Sequence, residues 1–317
     1  MKTIWKEIVM AVIMGMILPG IVVDFGVRQQ EARVIPETTV EQTVHNTIAI
    51  PMRFRQGDQV SQMNVDEYLV GVLLAEMPAS FETEAFKAQA VVARTYALKA
   101  SVTGGKHGDG SVCGDSACCQ AYISEADYLS RGGAQQTVDR VKGAIANTSG
   151  LVLTYEGSLI EATYFSCSGG STEDAVAVWG TDFPYLRATD SPGEENAAHY
   201  EDIVTFSLEE FSQKLGLSLT GKGWLGVATY TAGGGVNTIF IDGTEYKGTQ
   251  IRTLLGLRST NFEIMPDGNT VTVKTKGFGH RVGMSQYGAD AMAVSGSTYD
   301  QILAHYYQGT TLQLWEN

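Results

Sequence analysis

The carboxylate of Glu76 stands at the end of an apolar run, where its neighbours can change its acidity. Leu69, Val72 and Leu73 fall three and four positions apart, which predicts the buried face of a helix. Pro78 prevents the helix from continuing, so Glu76 lies in the last turn, where the helix dipole disfavours negative charge. Burial and the dipole both raise the pKa of a carboxyl group, which is the condition for a proton donor near neutral pH. A solvated Glu at a helix end is the alternative that these residues leave open.

Two helices are expected to position Glu76. The first begins near Asp66, whose side chain can accept hydrogen bonds from the amides of the first turn. The second has Thr83 in position to cap it and extends to about residue 101, because Phe86 and the alanines after it recur every three or four positions. The sequence therefore predicts a helix, a sharp stop and a second helix, with Glu76 at the junction.

A short glycine-rich segment, the cysteine loop (residues 106–120), holds three of the four cysteines and one histidine. Thiolate and imidazole ligands suit tetrahedral zinc, and four protein ligands would make the site structural because no position remains for water. A disulfide from Cys113 to Cys118 or Cys119 is the alternative, since an exported protein meets oxidising conditions. The candidate ligands are His107, Cys113, Cys118 and Cys119.

The composition excludes one broad class of function. The chain has 317 residues, a formal net charge of -13 and a pI of about 4.8. Nonspecific binding to nucleic acid needs a basic surface, so that class is disfavoured. An apolar content of 44% is enough for a substantial core.

The N-terminus predicts export. An uncharged run of 16 residues, 8–23, follows Lys2 and Lys6 and is close to the length that spans a bilayer. We interpret residues 1–27 as an uncleaved signal anchor with its N-terminus inside, in a single-pass membrane protein. A cleaved signal peptide is the alternative. Residues 28–45 are polar and are interpreted as a linker, which leaves residues 46–317 as an exported catalytic domain.

The remaining patterns mix helices and strands without regular alternation, which favours an α+β fold of helices and antiparallel strands around a substrate groove. Strands are predicted at 46–55, 151–155, 159–165, 227–231, 237–241, 262–265 and 270–274. Helices are predicted at 65–101, 126–146, 207–215, 249–255, 285–293 and 299–307. The runs 151–155 and 159–165 are expected to pair as a hairpin.

Three stretches carry a resemblance to a known family. They are AEMPASF from Ala75 with KAQA and ARTYA after it, GFGHRVGMSQYGA from Gly277, and SCSGGST from Ser166 with VWG and FPYL after it. On these motifs the chain resembles the stage II sporulation protein D family, peptidoglycan lytic transglycosylases of endospore-forming bacteria. The resemblance covers residues 46–317 and the predicted anchor.

The resemblance implies a reaction. Glu76 would protonate the glycosidic oxygen that leaves N-acetylmuramic acid, and would then act as base toward the 6-hydroxyl of that sugar. The product is a 1,6-anhydro end, and no water is used. One carboxylate can suffice because the attacking hydroxyl is already tethered. The family acts on strands without stem peptides during engulfment, with a peptidoglycan amidase and a multispanning membrane scaffold as partners.

The resemblance also implies a substrate-binding set. Arg94 is expected to hold a lactyl carboxylate or to orient Glu76, because a guanidinium forks carboxylates, with a structural ion pair as the alternative. The other residues expected to bind the glycan are Tyr164, Ser166, His280, Ser285, Gln286 and Tyr287.

Three departures from the family pattern affect the details. The zinc ligands of the family are His, Cys, His and Cys, and Cys118 replaces the second His here, so structural zinc is still expected. Arg281 stands where the family usually has Gly, and we expect it to line the groove. Cys167 stands where a small hydroxyl residue is usual, and we expect no catalytic role for it. A non-catalytic glycan-binding activator of an amidase is the alternative function.

Overall fold

A computed structural model of the chain describes residues 49–316. The helices of this part are α1 (Val65–Glu76), α2 (Thr83–Thr103), α3 (Glu125–Ser130), α4 (Gln135–Asn147), α5 (Ala175–Trp179), α6 (Leu208–Leu215), α7 (Gly248–Leu255), α8 (Gln286–Val294) and α9 (Tyr299–Tyr306). The strands are β1 (Pro51–Gln56), β2 (Gln59–Asn64), β3 (Ser111–Cys113), β4 (Leu151–Tyr155), β5 (Ser158–Leu159), β6 (Tyr164–Phe165), β7 (Glu201–Ser207), β8 (Leu225–Tyr230), β9 (Val236–Ile241), β10 (Thr244–Lys247), β11 (Asn261–Asp267), β12 (Thr270–Lys276), β13 (Met284–Ser285) and β14 (Thr311–Leu314). The α+β class predicted from the sequence is confirmed.

The first two helices begin one step away from the expected caps. Asn64 caps α1, because its side chain accepts from the amide of Asp66 at 3.0 Å. The carboxylate of Asp66 instead turns inward to pair with Arg94. Glu82 precedes α2 without a side-chain capping bond, and Thr83 is its first helical residue. Both predicted caps were wrong. The carboxylate of Asp66 is engaged in the buried pair with Arg94, and the N-cap position of α2 is one residue earlier than expected, at Glu82.

Helix α2 forms the centre of the main lobe (residues 49–200 and 277–316). It packs against α1, α4, α8, α9 and strand β4. Its alanines, among them Ala85, Ala90, Ala93 and Ala97, are fully buried, and small side chains allow neighbouring elements to approach closely. The helix that carries the candidate acid, α1, is thereby held on a rigid core.

The predicted hairpin from residue 151 is confirmed only in its first half. Strand β4 turns into β5, with Thr154 opposite Leu159. The chain then leaves this sheet, and β6 pairs in parallel with β13, so that Tyr164 lies opposite Met284. Strand β4 pairs on its other side with β14. The pairing of β6 with β13 brings two segments that are distant in sequence to one place, beside the end of α1.

Residues 201–276 form a second lobe, the inserted lobe, with its own hydrophobic core. It contains two three-stranded sheets, β11-β12-β7 and β10-β9-β8, together with α6 and α7. Its ends meet, because Glu201 is the register partner of Lys276. Ser207 and Glu210 form the capping box predicted for α6. The insertion therefore leaves the main lobe and returns to it at a single point.

The membrane location predicted from the sequence needs correction. No helix among residues 49–316 is long and apolar enough to span a bilayer. On this finding the single-pass placement is withdrawn. The segments interpreted as anchor and linker, residues 1–27 and 28–45, lie outside the described residues.

Candidate active site

A groove of about 890 Å³ opens beside the C-terminal end of α1. Its walls come from that helix end, the cysteine loop, residues 161–166, the end of α5 and residues 278–280. The predicted site residues that line it are Glu76, Tyr164, Ser166, His280, Gln286, Cys118 and Cys119. The structure therefore brings most of the predicted site residues together in one concave surface, as small-molecule and polymer sites require.

The carboxyl group of Glu76 is half-buried in this groove and has three hydrogen-bond donors. Its Oε1 accepts from the backbone amide of Ala121 at 2.9 Å and from the hydroxyl of Tyr164 at 3.3 Å. Its Oε2 accepts only a longer bond, 3.4 Å, from Nε2 of Gln286. Burial raises the pKa of Glu76 above the usual value, although these three donors oppose the shift. The proton is therefore retained to higher pH than on an exposed Glu.

A chain of hydrogen bonds fixes the partners of Glu76. The Tyr68 hydroxyl donates to Oε1 of Gln120 at 3.1 Å, and Nε2 of Gln120 donates to the Tyr164 hydroxyl at 3.1 Å. The Tyr164 hydroxyl must then point its own hydrogen at Glu76. Burial raises the pKa of Tyr164 well above its usual value, so it remains a donor. The sequence did not indicate Gln120 and Ala121 as site residues, although they are the first two residues after Cys119, the last predicted metal ligand.

The four predicted metal ligands converge. Their ligand atoms all lie within 4.8 Å of one another. Sγ of Cys118 lies 3.8 Å from Sγ of Cys119, and both lie near Nε2 of His107, at 3.7 Å and 3.6 Å. Tetrahedral zinc with bonds of about 2.3 Å to sulfur and 2.0 Å to nitrogen places its ligands roughly 3.5–3.8 Å apart. The cysteines are free thiols. The donor set thus fits four-coordinate zinc, and zinc itself stays a prediction.

Arg94 does not reach the groove. Its guanidinium is fully buried and pairs with Asp66 at 2.9 Å. Its other donors bond the carbonyl oxygens of Leu151 and Ile145. With its donors engaged inside the core, Arg94 matches the alternative considered above, a structural ion pair, rather than a contact to substrate.

Ser285 and Tyr287 lie behind the groove rather than in it. Ser285 is fully buried, caps α8 by accepting from the amide of Gly288, and donates to the carboxylate of Glu194. The Tyr287 ring packs edge-on against Phe81, with ring centres 4.9 Å apart. Both residues therefore hold the start of α8, from which Gln286 extends to Glu76, and neither contacts the open groove.

Arg281 was expected to line the groove, and this was wrong. Its side chain is fully buried, pairs with Glu173 at 3.0 Å and donates to the carbonyl oxygens of Ser168, Ser171 and Gly233. The residue adopts a left-handed backbone conformation, φ +65°, which explains why glycine suits this position. That conformation turns the side chain into the core, where Glu173 receives it.

His280 lines the groove as a neutral side chain. Its Nδ1 accepts from the amide of Val282 at 3.1 Å, and its ring packs against Phe165 and Trp179, 5.6 Å and 5.3 Å between ring centres. Burial and the charge of Arg252 lower the pKa of His280 to about 4. A neutral imidazole has a single N–H donor, and a hydrogen bond to the backbone of Tyr164 already engages the ring, so His280 fixes the groove wall.

Cys167 has no catalytic geometry. The thiol is fully buried and donates to the carboxylate of Glu194 at 3.3 Å. Burial raises the pKa of Cys167 to about 12, so the nucleophilic thiolate is not formed near neutral pH. The same carboxylate accepts from Ser168 and Ser191. This arrangement supports the expectation that Cys167 has no catalytic role.

Several residues that line the groove were not singled out from the sequence. They are Trp179, Phe183, Phe278 and Lys106. Trp179 and Phe278 are 41% and 40% exposed, which is unusual for large aromatic side chains. The three aromatic residues lie within the motifs that carry the family resemblance, but a single sequence does not distinguish an exposed aromatic residue from a core residue. Together they supply apolar faces beside the polar group of Glu76.

Comparisons with known proteins agree with these observations. A family model described as "Stage II sporulation protein" matches residues 55–155, which include Glu76 and the cysteine loop. The chain is 40% identical over 270 residues to "Stage II sporulation protein D" of Bacillus amyloliquefaciens, covering 84% of this chain and 78% of the relative. It is 41% identical to the protein of the same name in Bacillus subtilis (strain 168), covering 84% and 79%. It is also 31% identical over 299 residues to "Amidase enhancer" of that strain, covering 77% of this chain and 40% of the relative.

Proposed function

The chain belongs to the stage II sporulation protein D family, and from that premise we propose that it is a lytic transglycosylase that cleaves peptidoglycan glycan strands through Glu76. One observation carries the proposal. A carboxyl group whose pKa is raised by burial opens into a groove lined with aromatic and neutral polar side chains. That combination suits the protonation of a glycosidic oxygen.

The hydrogen bonds of Glu76 indicate which oxygen carries the proton. Oε1 already accepts two bonds, from Ala121 and Tyr164, whereas Oε2 accepts only the long bond from Gln286. The proton therefore resides on Oε2 and is donated from there to the glycosidic oxygen as the bond from that oxygen to C1 of muramic acid breaks. After transfer, the three donors stabilise the carboxylate that forms.

The same carboxylate then acts as base. It takes the proton of the 6-hydroxyl of the muramic acid while that oxygen bonds to C1, which closes the 1,6-anhydro ring. Glu76 is thereby returned to its protonated form, and no water enters. Ordinary glycosidases need a second, positioned carboxylate. Glu161, the other carboxylate that lines the groove, is bound to Lys99 at 2.7 Å. A tethered hydroxyl makes a second carboxylate unnecessary.

Zinc at His107, Cys113, Cys118 and Cys119 would have a structural role. When bound, the ion would supply coordination alone and would cross-link the cysteine loop. The two residues after Cys119 are Gln120, which orients Tyr164, and Ala121, which bonds Glu76. The end of the loop and the residue after it would thus help to position the acid.

Product analysis tests the proposal. Strands without stem peptides are incubated with the protein and with Glu76→Gln, and anhydro ends are sought by mass spectrometry. We expect them with the parent protein and not with Glu76→Gln. Glu67→Gln is the matched control, because Glu67 is an exposed residue on the same helix. Intact strands in the parent sample would refute the proposal.

A second candidate is a glycan-binding activator of an amidase, which the likeness to a protein named "Amidase enhancer" favours. The same groove would then bind strands without cleaving them. An amidase assay with and without the protein separates the two functions. An activator would accelerate release of stem peptides equally well as the Glu76→Gln variant, because no acid is needed for binding.

A further inference from the structure

Lys106 is the only Lys or Arg among the residues that line the groove. Its Nζ donates to the carbonyl oxygen of Cys118, in the groove wall. An ammonium group has three donors, so two remain after that bond. None of the ion pairs within residues 49–316 includes Lys106. The ammonium group is therefore held at the wall with donors to spare.

Most other cations near the groove are paired with carboxylates, and Arg252, whose charge also reaches His280, donates to the carbonyl oxygen of Leu257 and does not line the groove. The described pairs are Arg94 with Asp66, Arg281 with Glu173, Lys99 with Glu161, and Arg258 with Asp202. Of the two carboxyl groups that line the groove, Glu161 is paired with Lys99, and Glu76 accepts its hydrogen bonds from Ala121, Tyr164 and Gln286 and forms no ion pair with Lys106. The groove thus presents an unpaired positive charge in a chain whose net charge is -13.

A free carboxylate is the complementary group on a peptidoglycan strand. Each muramic acid bears a lactyl group, and a stem peptide attaches to it through an amide. A strand whose lactyl groups are free carries one carboxylate for each disaccharide, and the repeat has no other ionisable group. We propose that Lys106 binds this lactyl carboxylate and thereby favours substrate with free lactyl groups; the inference rests on the proposed function.

The surroundings of Lys106 suit a sugar that carries an acid. Lys106 is close enough to His280 for its charge to help lower the pKa of that imidazole. The Trp179 ring packs on the same imidazole, 5.3 Å between ring centres. An aromatic face and a cation thus flank one part of the groove, so a pyranose ring can stack while its lactyl substituent reaches the ammonium group. The net charge of -13 repels an anionic polymer, so an attractive charge in the groove favours one register of the bound strand.

A competing role for Lys106 must be separated from this one. Lys106 precedes His107, and a divalent ion with one imidazole and three thiolates carries a net charge of minus one. Lys106 could serve only to balance that charge. Such a role predicts loss of metal on substitution and no change in the preference for carboxylate.

The test measures binding, so that it does not depend on cleavage. Full-length Glu76→Gln protein is titrated calorimetrically with a peptide-free oligosaccharide of the disaccharide repeat, and with the same oligosaccharide as its lactyl methyl ester. We expect about three- to fivefold tighter binding of the acid, which is the upper part of the range of an exposed ion pair. Lys106→Gln should reduce this ratio to within about twofold, and Lys106→Arg should largely keep it.

Lys222→Gln is the matched control, because Lys222 is exposed on the inserted lobe. It should leave the ratio unchanged. Equal binding of acid and ester by the parent, or an unchanged ratio in Lys106→Gln, would overturn the inference. So would loss of the ratio accompanied by loss of bound metal, measured by elemental analysis. If binding shows the expected preference but the parent protein yields no anhydro ends, the proposed function is refuted and this inference still stands.

Discussion

The backbone amide of Ala121 lies 2.9 Å from Oε1 of Glu76, which joins the end of α1 to the residue directly after the cysteine loop. Neither segment positions the acid alone. Helix α1 places the side chain, and Ala121, which directly follows the loop, supplies its shortest hydrogen bond. A change in the conformation of the loop should therefore shift the carboxyl group of Glu76.

Metal removal should test this link. We expect one zinc per chain, and we expect chelation or Cys118→Ser to increase hydrogen exchange at the amide of Ala121. Displacement of Glu76 by about 1 Å would lower turnover roughly a hundredfold. Cys167→Ala is the control, because that thiol lies outside the loop, and it should retain zinc. Unchanged exchange at Ala121 after complete loss of metal would contradict the link.

Arg94 should matter for stability rather than for substrate. Arg94→Met leaves Asp66 buried without its cation, which should cost about 3–5 kcal/mol in the free energy of unfolding. Arg53→Ala, which breaks a pair between Asp109 and an Arg side chain that is 50% exposed, should cost less than about 1 kcal/mol. Urea unfolding measures both. A stable Arg94→Met protein with weakened strand binding would instead assign Arg94 to the substrate.

The pH dependence of stability should report on Glu76. Because burial raises its pKa, the folded protein binds this proton more tightly than the unfolded chain does. Stability from this group is fully present below the unfolded pKa, about 4.3, and is lost as pH rises through the folded pKa. Glu76→Gln should therefore stabilise the protein at neutral pH, with the gain vanishing toward pH 4.

The catalytic rate should also depend on the protonation of Glu76. The rate should fall as pH rises through the folded pKa, since the proton donor is lost. Glu67→Gln, on the exposed side of α1, should leave both profiles unchanged. A gain from Glu76→Gln that is the same at pH 4 and pH 7 would show that the carboxyl pKa is not raised.

Trp179 should contribute to glycan binding. Trp179→Ala removes an aromatic face beside His280, and we expect about fivefold weaker binding of strands, or about 1 kcal/mol. Tyr230→Ala is the matched control, because Tyr230 is 64% exposed on the inserted lobe and does not line the groove. Calorimetric titration of the Glu76→Gln forms gives both values. If the two variants lose the same amount of binding affinity, the groove is not where strands bind.

The sequence predicted those parts of the site whose signals are local. The position of Glu76 follows from the spacing of apolar residues and the stop at Pro78, and α1 ends at Glu76. The four candidate metal ligands lie within one short loop, so convergence required no knowledge of the fold. The helix of the capping box at Ser207 was likewise found because its determinants lie three residues apart.

The rest depended on contacts between distant residues. Tyr164 and Gln286 meet at Glu76 only because β6 pairs with β13, which no local pattern indicates. Arg94 was placed near substrate because a guanidinium forks carboxylates, and Arg281 because it stands in the turn where the family usually has Gly. In the structure Arg94 instead pairs with Asp66 and Arg281 with Glu173, both inside the protein. The strands of the inserted lobe were partly predicted, but its closure by Glu201 and Lys276 was not.

The most direct test of the central claim is digestion of peptide-free strands in water labelled with heavy oxygen. The account predicts unlabelled 1,6-anhydro ends from the parent protein. It predicts none from Glu76→Gln, which should still bind strands. An increase in the number of reducing ends without anhydro ends would show hydrolysis by water instead, and intact strands with parent protein that binds them would show that Glu76 is not a catalytic acid.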